Sequence, residues 1–118
     1  MKRLLLSLSF LLLNSIIAQE ISVDTVWTKT FGGSGNDHGK SVQVTDDGGY
    51  IIAGYTYSFG NGLSDSWLIK TDSNGIEEWN QTFGVSESYD EFNSVQQTTD
   101  GGYIFTGVRG LHPDYDLW

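Results

Sequence analysis

The sequence predicts an all-β protein built from repeated four-stranded antiparallel units. Three observations carry this. Runs rich in Thr, Val, Ile, Tyr and Trp alternate with clusters of Gly, Asp, Asn and Ser, the punctuation of short strands and tight turns. No stretch after Ala18 places apolar residues at helical spacing. And Ser41–Tyr55 (SVQVTDDGGYIIAGY) returns as Ser94–Val108 (SVQQTTDGGYIFTGV), identical at ten of fifteen positions with an offset of 53. Self-similarity at such a period marks a repeat architecture.

Taken in order, Val26–Phe31 (VWTKTF) alternates large and polar residues and reads as a strand. Ser41–Thr45 is a short strand, and Asp46-Asp-Gly-Gly49 is a tight turn whose glycines are free to take positive φ. Tyr50–Thr56 is the next strand, Ser58–Ser64 a loop, and Ser66–Thr71 a further strand. Asp72-Ser-Asn-Gly75 is a second tight turn with a strong Asn-Gly hairpin signal, and Glu77–Phe83 closes the unit. The pattern then restarts. Trp79–Gly84 (WNQTFG) matches Trp27–Gly32 (WTKTFG), Asp90 matches Asp37, and Asp116-Leu-Trp118 matches Asp65-Ser-Trp67. Four short antiparallel strands in about 52 residues is the signature of a β-propeller blade. The expectation is one complete blade with partial neighbours: repeat one at about 27–78, repeat two at about 79–118 and cut short.

The first 18 residues read differently. Lys2 and Arg3 precede a 15-residue apolar run, Leu4–Ala18, which meets the polar pair Gln19-Glu20. A charged start, an apolar middle and a small residue at the cut describe a secretory signal peptide. The run is shorter than the roughly 18–20 residues that span a bilayer, which favours cleavage over retention as an anchor. Ile16 departs from the small residue preferred three places before the cut. The chain has no cysteine, so export would bring no disulfides and no lipid-modified cysteine is expected.

The chain carries a formal charge of −9. Removing residues 1–18 takes away two bases and no acid, leaving 15 acids against 4 bases, or −11. A nucleic-acid or anionic-membrane partner needs a basic face, so neither is expected.

Most conspicuous side chains fall at repeat positions, which points to structure before chemistry. Trp27, Trp67, Trp79 and Trp118 recur in register with Phe31 and Phe83, as residues that pack between units do; stacking on a sugar is the alternative. Gly54 and Gly107 lie inside strands, where glycine marks a bulge or a close backbone approach. Asp47, Asp72 and Asp100 sit in turns and suit side-chain to backbone bonds that fix them. The calcium alternative at Asp72-Ser-Asn-Gly-Ile-Glu77 shows only part of a calcium loop. Asp37, Asp65, Asp90 and Asp116 recur between strands and read as loop anchors bonded to the next blade; a ring of acids on one rim of a closed propeller is the alternative. His38 and His112 are not equivalent and have no second His at ligand spacing, so no metal site is expected. No catalytic constellation or cofactor loop stands out, and no catalytic, cofactor or metal residue is assigned.

The pattern W-x-x-T-F-G, D, S-V-Q, D-G-G-Y-I-x-x-G, D-x-W-L-I-K-T-D-x-x-G, spanning residues 26–118, resembles secreted β-propeller repeats of the Bacteroidetes type. Lys70–Gly75 followed by Trp79 is also distantly similar to quinoprotein-type repeats, in which an Asp–Gly turn precedes a tryptophan packed between blades. The calcium ligands, stacking tryptophan and vicinal disulfide of the quinone enzymes are not matched here, so no quinone chemistry carries over. The resemblance implies a secreted, cell-surface or periplasmic protein of a Gram-negative bacterium. Propellers close with four to eight blades, so the chain is expected to be part of a longer protein, or to assemble with copies of itself. The expected role is non-enzymatic interaction with protein or glycan. The alternatives are a propeller-type glycan hydrolase or lyase whose active site lies in other blades, and a structural spacer in a large surface protein.

Overall fold

The computed structural model describes residues 26–111 and 113–118; the expected signal peptide and His112 lie outside them. The described residues form no helix and seven strands in two antiparallel sheets. Sheet one is a meander of β1 (Asp37–Val44), β2 (Tyr50–Thr56), β3 (Asp65–Thr71) and β4 (Glu77–Phe83). Sheet two is a meander of β5 (Tyr89–Gln97), β6 (Tyr103–Leu111) and β7 (Asp114–Leu117).

The duplicated segment folds the same way twice. In the first turn the Thr45 N–H donates to Gly49 O (2.9 Å) and the Gly48 N–H to Thr45 O (2.8 Å); 53 residues on, Thr98 N–H donates to Gly102 O (2.9 Å) and Gly101 N–H to Thr98 O (3.0 Å). Gly48 and Gly101 take φ of 82° and 85°, a region where a side chain is strained. Each pair of strands then breaks register at one place, between Gly39 and Ser41 in β1 and between Phe92 and Ser94 in β5. Opposite the bulges lie Gly54 and Gly107, where an added Cβ would collide with the carbonyls of His38 and Glu91. The glycines are required because the bulge drives the neighbouring backbone into the space of a side chain.

Two boundaries differ from the sequence expectation. Val26–Phe31 joins no ladder, although its pattern matches β4. Its equivalents Trp79–Phe83 are the last strand of sheet one, paired with β3. And β1 begins at Asp37 rather than Ser41, because the bulge at Lys40 interrupts the alternation that defines a strand in sequence.

β5 lies on sheet one. Ile51, Ala53 and Leu68 from one side meet Phe92 and Val95 from the other, flanked by Phe83, Tyr103, Phe105 and Trp118. Burying each large apolar side chain here stabilises by about 1.5–3 kcal/mol. The aromatic rings mesh at centroid distances of 4.2 Å (Phe92–Phe105), 5.3 Å (Phe92–Trp118) and 5.5 Å (Phe83–Phe92).

The close approach behind Gly54 and Gly107 yields a test. Gly54→Ala or Gly107→Ala should destabilise the fold by about 3 kcal/mol, because the obstacle is backbone. Gly101→Ala, where a Cβ has open space and only the φ is unfavourable, should cost about 1 kcal/mol. Chemical denaturation of the three variants measures the difference.

Candidate interaction surface

Two kinds of surface follow from this arrangement: the faces by which one sheet meets another, and a cleft on sheet one. The face of sheet one that meets sheet two is set by alternation after the bulge. Ser41, Gln43, Ile51, Ala53 and Leu68 point to it, while Val42, Val44 and Ile52 point away. Its polar members bond to the β5 backbone. The Val95 N–H donates to Ser41 Oγ (3.4 Å) and the Gln97 N–H to Gln43 Oε1 (2.7 Å). In return the Asp46 N–H donates to Gln97 Oε1 (2.8 Å). At the far end the Leu63 N–H donates to Ser88 O (2.9 Å) and the Asp90 N–H to Ser64 O (3.0 Å), around a parallel bridge between Ser64 and Tyr89.

Sheet two carries the same groups on its outer face. Ser94 and Gln96 stand 53 residues after Ser41 and Gln43 and are exposed. Ile104, the equivalent of the fully buried Ile51, is 57 % exposed. The opposite face of sheet one is its complement: Val42 is 64 % exposed, whereas its equivalent Val95 is 3 % exposed against sheet one.

Of the four tryptophans, Trp79 packs between the two sheets, whereas Trp67 and Trp118 pack within their own, against Phe59 and Phe92. Trp79, on β4, meets Tyr103 of sheet two at 5.9 Å, and Trp27 meets Tyr50 of sheet one at 5.5 Å, so the same pair forms twice. The Trp27 indole also donates to Ser73 O (3.1 Å) and lies against Gly75. Trp67 donates to Asn80 Oδ1 (3.1 Å), and Trp118 exchanges backbone bonds with Gly107 (2.5 and 2.9 Å).

The turn aspartates hold backbone. Asp47 Oδ1 accepts from Thr45 Oγ1 (2.5 Å) and Gly49 N–H (2.9 Å); Asp100 Oδ1 accepts from Thr98 Oγ1 (2.5 Å) and Gly102 N–H (3.2 Å). Asp72 Oδ1 accepts the Asn74 and Ile76 N–H groups, both at 2.8 Å. The interstrand aspartates act on loops. Asp37 accepts from Gly33 N–H (2.9 Å), Ser58 Oγ (2.7 Å) and Thr56 Oγ1. Asp90 takes Val85 N–H (3.1 Å) and the Arg109 guanidinium (2.9 Å). Asp65 is buried and accepts the Gly62 N–H (2.8 Å), whereas Asp116 is exposed on β7, so these two do not play equivalent parts. His38 stacks on Tyr55 at 4.8 Å. The described residues hold no cluster of three or more metal-ligating side chains.

Lys70 joins this network without a sequence signal. It is buried on β3, with Nζ 2.8 Å from both Asp47 and Glu78 and donating to Thr71 O (2.9 Å). Burial pulls its pKa down, and the bonds to Asp47 and Glu78 outweigh burial, so the ammonium is held above its ordinary value.

The cleft lies at Gly39. It has a volume of about 190 Å³ and is lined by Phe31, Ile52, Trp67 and Ile69, together with Asp37 and His38. In sheet two the residue equivalent to Gly39 is Phe92, and its ring fills the corresponding space. This difference was legible in the alignment of DHGK (37–40) with DEFN (90–93), just outside the most similar stretch. No protein-family model, characterised protein or solved structure matches the chain.

The carboxylates make stability acid-sensitive. Lys70 first, then Thr45 and Gly49, hold Asp47 far below its ordinary 3.8. Asp72 is lowered chiefly by the Ile76 N–H and Asp100 chiefly by Thr98. At Asp37 burial pushes upward and the bonds from Thr56, Gly33 and Ser58 outweigh it. A depressed carboxylate contributes stability that is present above its ordinary pKa and lost as pH falls through the lower folded value. The melting temperature should therefore hold from pH 7 to about 5 and fall steadily below about pH 4. Asp47→Asn should flatten part of that acid limb. A melting temperature unchanged down to pH 2.5 would contradict the assignment.

Proposed function

We propose that this chain is a β-propeller-type repeat module of an exported bacterial protein, and that its role is non-enzymatic interaction with a protein or glycan partner. The single observation that carries this reading is the stitch between β1 and β5. Ser41 and Gln43 bind the backbone of the next inner strand, and Ser94 and Gln96 present the same acceptors on an exposed face. Each sheet is thus a unit with two unlike faces, one made to receive what the other presents. Stacking of that kind is how repeat proteins build a core that no single unit encloses. Two further features support the reading. The conspicuous acids are spent on turns and loops, which suits a scaffold, and the two copies share their turn, bulge and glycine geometry, which suits an array of blades.

The partner implied by the faces is another unit of the same kind, whether adjacent in a longer chain or in a second copy. Head-to-tail contact predicts a particular mixing behaviour. The chain should self-associate in sedimentation velocity as its concentration rises. Val42→Asp and Ile104→Asp, each placing a charge on one face, should each weaken association at least tenfold. An equimolar mixture of the two should form a dimer and nothing larger, since one unblocked face of each kind remains. A chain that stays monomeric at all concentrations, or variants that associate as well alone as together, would contradict head-to-tail stacking.

A further inference from the structure

We propose that the cleft at Gly39 binds an uncharged aromatic side chain presented by a partner protein. The second sheet supplies the argument. There Phe92 is fully buried between Phe83, Phe105 and Trp118. The equivalents of those three residues are Phe31, Ile52 and Trp67, and all three line the cleft. Sheet one therefore keeps the walls of an aromatic site and omits its ring. An apolar cavity of roughly 150 Å³ takes up benzene, so the cleft, at about 190 Å³, has room for one ring.

The chemistry of the lining selects the class of ligand. The Asp37 carboxylate already accepts from Gly33, Ser58 and Thr56, and the His38 ring is stacked on Tyr55. A sugar would need several free polar groups to hold its hydroxyls; beside the occupied Asp37 carboxylate this lining offers the His38 ring nitrogens and the apolar walls of Phe31, Ile52, Trp67 and Ile69. A second difference lies behind this lining. In sheet two the Arg109 guanidinium lies 3.7 Å from the centroid of Trp118 while holding Asp90; its equivalent in sheet one is Thr56, which bonds to Asp37 and covers no ring.

Gly39 itself permits the decisive substitution. Its backbone is not in the left-handed region, and an added Cβ would meet only Ile52, at 3.8 Å. Gly39→Phe should place the ring that the second sheet carries. The measurement is ligand-observed saturation-transfer NMR with N-acetyl-phenylalanine amide on the chain carrying Ile104→Asp, which leaves the Gly39 face untouched and blocks stacking. Saturable transfer is expected, and protein-observed NMR of the same isotope-labelled chain should show shifts at Phe31, Ile52 and Trp67. N-acetyl-alanine amide and methyl glucoside should give none at the same concentrations. Gly39→Phe should weaken binding at least tenfold and raise the melting temperature by about 5–10 °C. Unchanged binding in Gly39→Phe, no preference for the aromatic probe over alanine, or stronger transfer to the glucoside would overturn the proposal. If Gly39→Phe does not fold, the shifts in the Ile104→Asp chain decide: perturbation away from Phe31, Ile52 and Trp67 overturns it. The cleft opens on the face that carries Val42 and Ile52, so a stacked unit would compete with the aromatic side chain; the Ile104→Asp chain removes that competition, and the sedimentation of mixed variants tests stacking separately.

Discussion

β5 is held on sheet one by two forces with different reach, and the rest of the described structure depends on both. Burial of Phe92 and Val95 against Ile51, Ala53 and Leu68 supplies adhesion, but apolar contact alone is tolerant of sliding. Hydrogen bonds from the Val95 and Gln97 amides to Ser41 and Gln43 are not. They set β5 at one height relative to β1, and with it the position of Phe92 among Phe83, Phe105 and Trp118. The bulge at Lys40 is part of the same device. It turns Ser41 and Gln43 toward the neighbouring sheet, and a one-residue shift would turn them away.

A unit of this size encloses very little by itself. Two small sheets share one interior, and the buried apolar residues of that interior come from both. Each sheet therefore contributes half of that core. That economy explains why β4 is lettered with Trp79 and Phe83 although it is the last strand of sheet one: those two rings serve sheet two. It also explains Trp27 and Phe31, which lie on sheet one in the same manner without a ladder of their own.

These facts show what sequence reasoning could reach. Strands β2, β3 and β4, both Gly-Gly turns, the bulge-facing glycines and the structural use of the tryptophans were legible, because each rests on local period, on turn chemistry or on recurrence. Val26–Phe31 misled for a physical reason. Alternation reports which faces a segment shows, and pairing depends on what lies beside it. The start of β1 at Asp37 was hidden by its bulge. Lys70 was hidden too, since a lysine on a β-strand reads as exposed until Asp47 and Glu78 are seen on either side of it.

In a chain that repeats itself, recurrence and departure carry different information. Positions that hold the same residue in both copies answer to the demands both copies share: a turn that closes, a glycine that clears a carbonyl, a carboxylate that caps a loop. Function particular to one copy has to reside where the copies differ. Most differences here exchange one surface residue for another. Gly39 for Phe92 is of another kind, because it removes bulk from a place while Phe31, Ile52 and Trp67 remain around it. Leaving an apolar hollow open costs stability, and glycine in a strand costs more. The backbone at Gly39 would accept a larger residue, so the fold does not require the hollow. That asymmetry between what the backbone permits and what the sequence places there is the physical ground for reading the cleft as a site.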